Sequence, residues 1–145
     1  MEKNGDLTIE ETFNLAVKNH QKNNFKESQN LYNKILEINP NHSPALNNIA
    51  IIFTNLKDFK KAKECYEKAI KINPNYADAH NNLGTIFKGL EENQKAKECF
   101  EKAIEINPNY ADAHNNLGTI FKGLEENQKA KECYEKAIKI NPNYA

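Results

Sequence analysis

A proline recurs every 34 residues in this chain, each time within the same four-residue word, Ile-Asn-Pro-Asn. A fixed period of this length indicates a row of equivalent supersecondary units that pack on their neighbours, in place of one globular core. Residues that share a repeat position therefore have to be interpreted together. The four prolines are Pro40, Pro74, Pro108 and Pro142.

Aligned on these prolines, the chain divides without gaps into four repeats. Repeats 3 and 4 are nearly identical: Phe100 of repeat 3 is Tyr134 in repeat 4, and Glu105 is Lys139. Neighbours that are this interchangeable point to an internal duplication. Repeats 1 to 4 comprise residues 9–42, 43–76, 77–110 and 111–144.

The two ends of the chain differ in character. Residues 1–8 are polar and are expected to form a leader, whereas residue 145 is expected to begin a further, truncated repeat. Repeat stacks usually end in a divergent unit with a polar outer face. The sequence therefore predicts either a fragment of a longer array or an end that another molecule covers.

Each repeat contains two amphipathic helical patterns. In repeat 3, apolar residues recur at helical spacing over residues 79–90 and again over residues 96–104. A short polar segment, Glu91-Glu92-Asn93, separates the two patterns. The sequence thus predicts a helix, a short turn and a second helix in every repeat.

Polar residues at the ends of these patterns predict helix caps. Asn75 and Asn93 are expected to cap the first and second helices of repeat 3, and Pro108 to end the second helix. Thr8 and Glu11 have the spacing of a capping box for the first helix of repeat 1.

The small and aromatic residues of each repeat resemble those of the tetratricopeptide repeat family. The resemblance implies an all-α protein, a right-handed α-solenoid (superhelix) of antiparallel helix pairs. Two frequent aromatic positions of the family differ here, because repeat 3 has His80 and Asn93 in their place. In repeat 3 the resemblance is carried by Leu83, Gly84, Phe87, Ala96, Phe100, Ala103 and Pro108.

Composition narrows the class of partner and the compartment. The formal net charge is zero, and all 20 basic residues are Lys. The absence of Arg argues against nucleic-acid binding, which commonly uses its planar guanidinium group. Neither a targeting signal nor an apolar run long enough for a membrane span is apparent. We therefore expect a cytoplasmic protein that binds neither membrane nor nucleic acid.

No catalytic constellation is recognisable in the sequence, so we expect no enzymatic activity, no cofactor and no metal. Cys65, Cys99 and Cys133 lie one repeat apart and are expected to pack as small apolar residues, since equivalent helices are too far apart for a disulfide. His80 and His114 are expected to pack against their neighbours and not to act as ligands or catalysts.

One polar pattern survives in all four repeats: an Asn on the first helix, here called the Asn ladder, comprising Asn14, Asn48, Asn82 and Asn116. By resemblance to the family, this position lines a concave groove. An Asn side chain offers one acceptor and two donor hydrogens, which suits the main chain of an extended peptide. The other groove positions expected to contact a peptide are Asp78, Asn81, Thr85, Lys88, Asp112, Asn115, Thr119 and Lys122.

The segments 79–84 and 113–118, both Ala-His-Asn-Asn-Leu-Gly, most resemble the repeat array of the O-linked N-acetylglucosamine transferases, which has an Asn ladder. The cationic residues with which other family members hold chaperone carboxylates are missing from the corresponding positions. A structural role, in which Asn caps or bridges neighbouring helices, is an equally good interpretation of the ladder.

The leading hypothesis is a non-catalytic scaffold that binds an extended segment of a partner protein in the groove. A first alternative is a structural array whose copies associate end to end into fibres, because the last repeat has no cap. A second is the substrate-recognition arm of a larger enzyme such as a glycosyltransferase. The sequence identifies no particular partner.

Overall fold

The computed structural model of the protein describes residues 6–143, and every regular element in that range is an α-helix. Each repeat contributes one first helix and one second helix, as predicted. The first helices are α1 (Ile9–Gln21), α3 (Ser43–Asn55), α5 (Ala77–Gly89) and α7 (Ala111–Gly123). The second helices are α2 (Phe25–Ile38), α4 (Phe59–Ile72), α6 (Asn93–Ile106) and α8 (Asn127–Ile140).

The chain forms two compact units. Unit 1, Met1–Ile72, contains α1 to α4, and unit 2, Asn73–Ala145, contains α5 to α8. In both units the two helices of a repeat pack against each other, and the second helix of one repeat also packs against the first helix of the next. The predicted leader lies mainly outside the described residues, as does the expected start of a further repeat at residue 145.

The turn inside each repeat depends on one residue in the left-handed region. In repeat 3 this residue is Glu91, whose N–H donates to Lys88 O (3.1 Å), while the N–H of Glu92 donates to Phe87 O (2.9 Å). These two bonds form a Schellman motif, which ends the first helix and reverses the chain. The four residues, each with φ of 60–61°, are Asn23, Lys57, Glu91 and Glu125.

Substituting Gly at these turns is expected to stabilise the protein. A side chain at positive φ is strained, and only Asn23 among the four is a residue that tolerates this region well. Glu91→Gly should therefore raise the free energy of unfolding by about 0.5–1 kcal/mol, measured by urea denaturation.

Glu98→Gly is the matched control for this turn, because it places Gly on the exposed surface of the α6 interior. It should lower the free energy of unfolding by about 1 kcal/mol. Equal losses in both variants would show that the turn carries no strain.

The word Ile-Asn-Pro-Asn forms the turn between successive repeats. Its first Asn accepts a hydrogen bond through Oδ1 from the backbone N–H two residues later, as in the pair Asn73 and Asn75 (3.3 Å). This side-chain bond closes an Asx turn around the proline. The same bond, at 3.1–3.2 Å, is formed by Asn39 with Asn41, Asn107 with Asn109 and Asn141 with Asn143.

The helix caps follow the sequence prediction at one of three places. Thr8 and Glu11 form the predicted capping box, with bonds of 2.8 and 3.1 Å. The prediction for Asn75 is wrong, since Tyr76 is the N-cap of α5 and Asn75 takes part in the Asx turn. The prediction for Asn93 is also wrong, because Asn93 is the first residue of α6 and follows the N-cap Glu92.

The core of unit 1 shows how a first helix packs on the preceding repeat. Its cluster of buried residues joins α1, α2 and α3 and includes Tyr32 and Ile35 of α2. From α3 it takes Ala45, Ile49 and Ile52, whose i, i+4, i+7 spacing forms one apolar stripe. This stripe is the part of the helix that attaches one repeat to the next.

In unit 2 the two helices of a repeat approach most closely at a glycine. A Cβ atom built on Gly84 would lie 2.6 Å from the ring of Phe100, and one on Gly118 would lie 2.8 Å from the ring of Tyr134. The rings thus occupy the space that a side chain would need. Ala96 and Ala103, the other small residues that carried the resemblance in repeat 3, are fully buried.

Candidate functional site

The Asn ladder lies on the same position of each first helix, as the period requires. Unit 1 carries Asn14 on α1, which is exposed, and Asn48 on α3, which is half-buried. Unit 2 carries Asn82 on α5 and Asn116 on α7, and both are half-buried. The ladder residues are therefore accessible in part, but their contacts differ between the units.

In unit 1, Asn48 bonds to the neighbouring repeat. Its Nδ2 donates to the hydroxyl of Tyr32 on α2 (3.2 Å), and its Oδ1 accepts from Nδ2 of Asn47 (3.2 Å). Burial raises the pKa of Tyr32, and the hydrogen bonds with Asn48 and Ser28 partly oppose that rise. Asn48 thus ties α3 to α2, which is the structural interpretation of the ladder at this position.

In unit 2, Asn116 has a different partner. The residue that corresponds to Tyr32 is Phe100, which has no hydroxyl group. Asn116 Nδ2 donates instead to Oδ1 of Asn81 on α5 (3.0 Å). Asn81 is only 6% exposed, so it joins two helices and is largely withdrawn from solvent.

The hydroxyl group of Tyr110 extends this network, which the sequence did not predict. Tyr110 precedes α7 and forms side-chain hydrogen bonds with Asp78 and Asn81 of α5. Burial raises the pKa of Tyr110 well above its usual value, and the hydrogen bond to Asp78 and the charges of Asp78 and Asp112 raise it further. The neutral phenol therefore persists at physiological pH and donates to the Asp78 carboxylate. The recurring Tyr after Pro-Asn at positions 76 and 110 was the only sequence signal.

The remaining predicted residues line the outer side of the first helices. Asp78, Asn82 and Thr85 follow one another at i, i+4 and i+7, which places them on one face of α5. Asp112, Asn116 and Thr119 repeat this arrangement on α7. The aspartates, the threonines and Lys122 are exposed, whereas Lys88 and Asn115 are half-buried.

The two threonines have their hydroxyl groups directed at the helix backbone. Thr85 Oγ1 donates to the carbonyl of Asn81 (3.0 Å), and Thr119 Oγ1 donates to that of Asn115 (3.1 Å). Their oxygens remain acceptors, and Thr119 accepts in addition from the hydroxyl of Tyr134 (3.4 Å). Each threonine therefore offers an outside ligand an acceptor more readily than a donor.

This polar face is a surface and not a pocket. A groove of about 700 Å³ in unit 2 lies elsewhere, and Ile104, Pro108, His114 and Lys139 are among the residues that line it. None of the predicted groove residues lines it. The polar face suits a ligand that spreads over several repeats better than a small molecule, which normally requires a concave pocket.

The histidines of the first helices hold the turn that precedes them. His80 Nε2 lies 2.9 Å from Pro74 O, and His114 Nε2 lies 2.8 Å from Pro108 O. His114 is buried, and His80 is half-buried. Both contacts agree with the prediction that these residues pack within the repeat.

The cysteines are also placed as predicted for small apolar residues. Cys133 is buried, Cys65 and Cys99 are half-buried, and all three are free thiols. Burial raises the pKa of both Cys65 and Cys133. Because the thiolate is the reactive form, neither of these residues is suited to nucleophilic chemistry.

Two further classes of site were searched for over residues 6–143. In this range no three His, Cys, Asp or Glu side chains come together in a way that would hold a metal ion. No helix in the same range is both long enough and apolar enough to cross a membrane.

Comparison with structures of known proteins shows the same arrangement of helices. MamA has 29% identity and a TM-score of 0.78, with 89% of this chain and 75% of that one covered. Pseudomonas aeruginosa PilF has 25% identity and a TM-score of 0.86, with 93% and 62% covered. MamA from Desulfovibrio magneticus, at 21% identity, 94% and 77% coverage and a TM-score of 0.79, is similar in fold. No curated protein sequence matches the chain significantly.

Family models described as tetratricopeptide repeat match nearly the whole chain. One matches residues 43–76, 77–110 and 111–144, and a second matches residues 13–42. With the all-helical structure and its neighbours, these matches confirm the predicted fold class, an all-α protein of the α-solenoid type. Repeat proteins of this class present extended surfaces to partner proteins. The chain belongs to the tetratricopeptide repeat family.

Proposed function

We propose that this protein is a non-catalytic scaffold that binds an extended segment of a partner protein on the polar face of its first helices. The observation that carries the proposal is the recurrence of Asp, Asn and Thr at the same i, i+4, i+7 positions of α5 and α7. An extended peptide presents N–H and C=O groups at regular intervals along its length. Repeated acceptors and donors on a scaffold can therefore bind it without depending on one side chain.

Asn116 has the capacity that this role requires. Its Nδ2 bonds to Asn81, whereas its Oδ1 accepts no hydrogen bond from the part of the chain that the structure describes. That oxygen is half-exposed with the rest of the side chain and can accept a peptide N–H. Bonds of this kind are individually weak, so affinity has to come from several repeats acting together.

Burial narrows the set of proposed contacts. Asn48, Asn82 and Asn116 are proposed to bond to the peptide main chain, with Thr85 and Thr119 as additional acceptors. Asn81 is proposed to act indirectly, because its buried amide positions Asn116. The exposed Asp78, Asp112 and Lys122, with Asn14, Lys88 and Asn115, form the margin of the same surface.

The finer resemblance to the repeat array of the O-linked N-acetylglucosamine transferases rests on the two Ala-His-Asn-Asn-Leu-Gly segments. We propose that the ladder has the same purpose here, main-chain recognition. The chemistry of any attached enzyme would then lie outside this chain. The free cysteines support a reducing compartment, and we propose a cytoplasmic location.

End-to-end association into fibres is the weaker alternative. In unit 1 the attaching stripe of α3 is Ala45, Ile49 and Ile52. At the corresponding positions α1 has Glu11, Leu15 and Lys18, of which Glu11 and Lys18 are exposed and charged. A second copy would have to bury these charges when it stacked through α1, which is costly.

Backbone recognition predicts a specific pattern of losses. Peptides selected from a random display library against the protein should lose at least about tenfold in affinity when alternate backbone amides are N-methylated, since each lost hydrogen bond to the ladder removes binding energy. Alanine substitution of most peptide side chains should have a smaller effect. Isothermal titration calorimetry measures both series.

A variant of the protein completes this test. Asn82→Ala with Asn116→Ala should weaken the selected peptides, while Glu98→Ala on the exposed surface of α6 serves as the control. Thermal denaturation of each variant separates lost binding from lost folding. Binding that survives both N-methylation and the double substitution would place the ligand on another surface.

A further inference from the structure

The second helix of repeat 3 has a face that the next repeat covers. Phe100 on this face is completely buried. Lys97 extends over the ring of Phe121 on α7, with Nζ 5.5 Å from the ring centroid, and its side chain is 26% exposed. Ile104 is half-buried on the same face. Lys97, Phe100 and Ile104 follow an i, i+3, i+7 spacing and make up the seat of α7.

The second helix of repeat 4 carries a near copy of this seat. Lys131, Tyr134 and Ile138 occupy the same positions on α8, and only the change from Phe to Tyr distinguishes the two sets. The side chain of Lys131 is 69% exposed, and Ile138 is 50% exposed. α8 is the last described helix, so no described helix lies on it as α7 lies on α6. We call Lys131, Tyr134 and Ile138 the open seat.

The helix that fits such a seat is defined by α7 itself. Its buried residues include Ala113, Leu117, Ile120 and Phe121, which correspond to the attaching stripe of α3 and the Phe that follows it. Lys97 both contacts Phe121 and pairs with Glu101, with Nζ and Oε1 3.9 Å apart. Lys131 pairs with Glu135 at the same 3.9 Å, so the open seat holds its cation in the same arrangement.

We propose that the open seat of α8 binds one amphipathic helix of a partner protein. That helix has a small residue at i, aliphatic residues at i+4 and i+7, and an aromatic residue at i+8 that packs against Lys131. The small residue permits close approach, and the aromatic ring gains a cation–π contact. This surface lies on a second helix, so the proposal does not depend on peptide binding by the first helices.

A second copy of this chain is a poorer occupant of the open seat. The α7 stripe of a folded copy is already buried against its own α6. The stripe of α1 is interrupted by the exposed charges of Glu11 and Lys18. Burial of these charges on Tyr134 and Ile138 would leave them without water or a counter-charge. The chemistry of the seat therefore favours a foreign helix.

The test uses a fluorescein-labelled peptide of residues 107–124, which carries the α7 sequence, as the probe. Titration of the intact protein should give saturable fluorescence anisotropy with a Kd below about 100 μM. Ile138→Glu should weaken binding by about tenfold or more, because a charge replaces apolar contact at a half-exposed site that tolerates it in the free protein.

Two controls make the result specific. Leu56→Glu changes an exposed apolar residue of unit 1 and should leave the Kd unchanged. A peptide with Leu117→Asp and Phe121→Asp should not bind. Absence of saturation, or equal binding by Ile138→Glu, overturns the proposal. Sedimentation that shows concentration-dependent dimers of the parent, lost in Ile138→Glu, also overturns it in favour of a second copy.

Discussion

Replacing Phe100 by Ala is expected to lower the free energy of unfolding by about 3–5 kcal/mol, the largest loss for any single substitution considered for this chain. The ring is completely buried, fills the space above Gly84 and is covered by α7. Its removal leaves a cavity that two rigid helices cannot close. Guanidinium denaturation followed by circular dichroism measures the loss.

Tyr134→Ala is the matched control, because repeat 4 otherwise differs from repeat 3 at one position. Tyr134 packs over Gly118 in the same way but is half-buried. The expected loss is about 1.5 kcal/mol, less than half of that for Phe100. Equal losses in the two variants would mean that α7 contributes little to the burial of Phe100.

The second large effect is expected at a glycine. Gly84→Ala should lower the free energy of unfolding by about 1–3 kcal/mol, because the new Cβ would lie 2.6 Å from a ring that is itself fully buried. Gly89→Ala on the same helix is the control, since no atom lies within 4 Å of its Cβ position. That substitution should be neutral or stabilising by about 0.5 kcal/mol.

A double variant identifies the clash as the cause. Phe100→Leu shortens the side chain that faces Gly84, so Gly84→Ala should cost less in its presence than alone. Repeats 1 and 2 have Ala16 and Ala50 at the Gly84 position, so the helix pair as such accepts a Cβ there. A cost unaffected by Phe100→Leu would contradict the steric explanation.

The helices were predictable because their determinants are local and repeated. Apolar spacing is present four times in the sequence, and the Thr8 and Glu11 capping box depends on residues three apart. The caps at Asn75 and Asn93 failed for an equally local reason. Asn73 takes the N–H of Asn75 in an Asx turn, and the left-handed Glu91 ends α5 without a Gly or Asn to mark it. Composition gives no signal for strain at Glu91.

The candidate site was predictable as a position but not as a set of contacts. The period places Asn48 and Asn116 on equivalent points of α3 and α7. Their partners depend on a residue of the preceding second helix, which is Tyr32 in one case and Phe100 in the other. A single hydroxyl group therefore decides whether the ladder Asn bonds to a phenol or to Asn81. Contacts of this kind follow from the packing of neighbouring repeats and cannot be read from one repeat.

The Asx turn at each Ile-Asn-Pro-Asn word closes within three residues and needs no help from distant parts of the chain. A gene that encodes such joints can gain or lose a whole repeat by unequal recombination without selection for a new junction. Repeats 3 and 4 are close to what one such event would leave behind. The number of repeats is then an evolutionary variable independent of their internal packing.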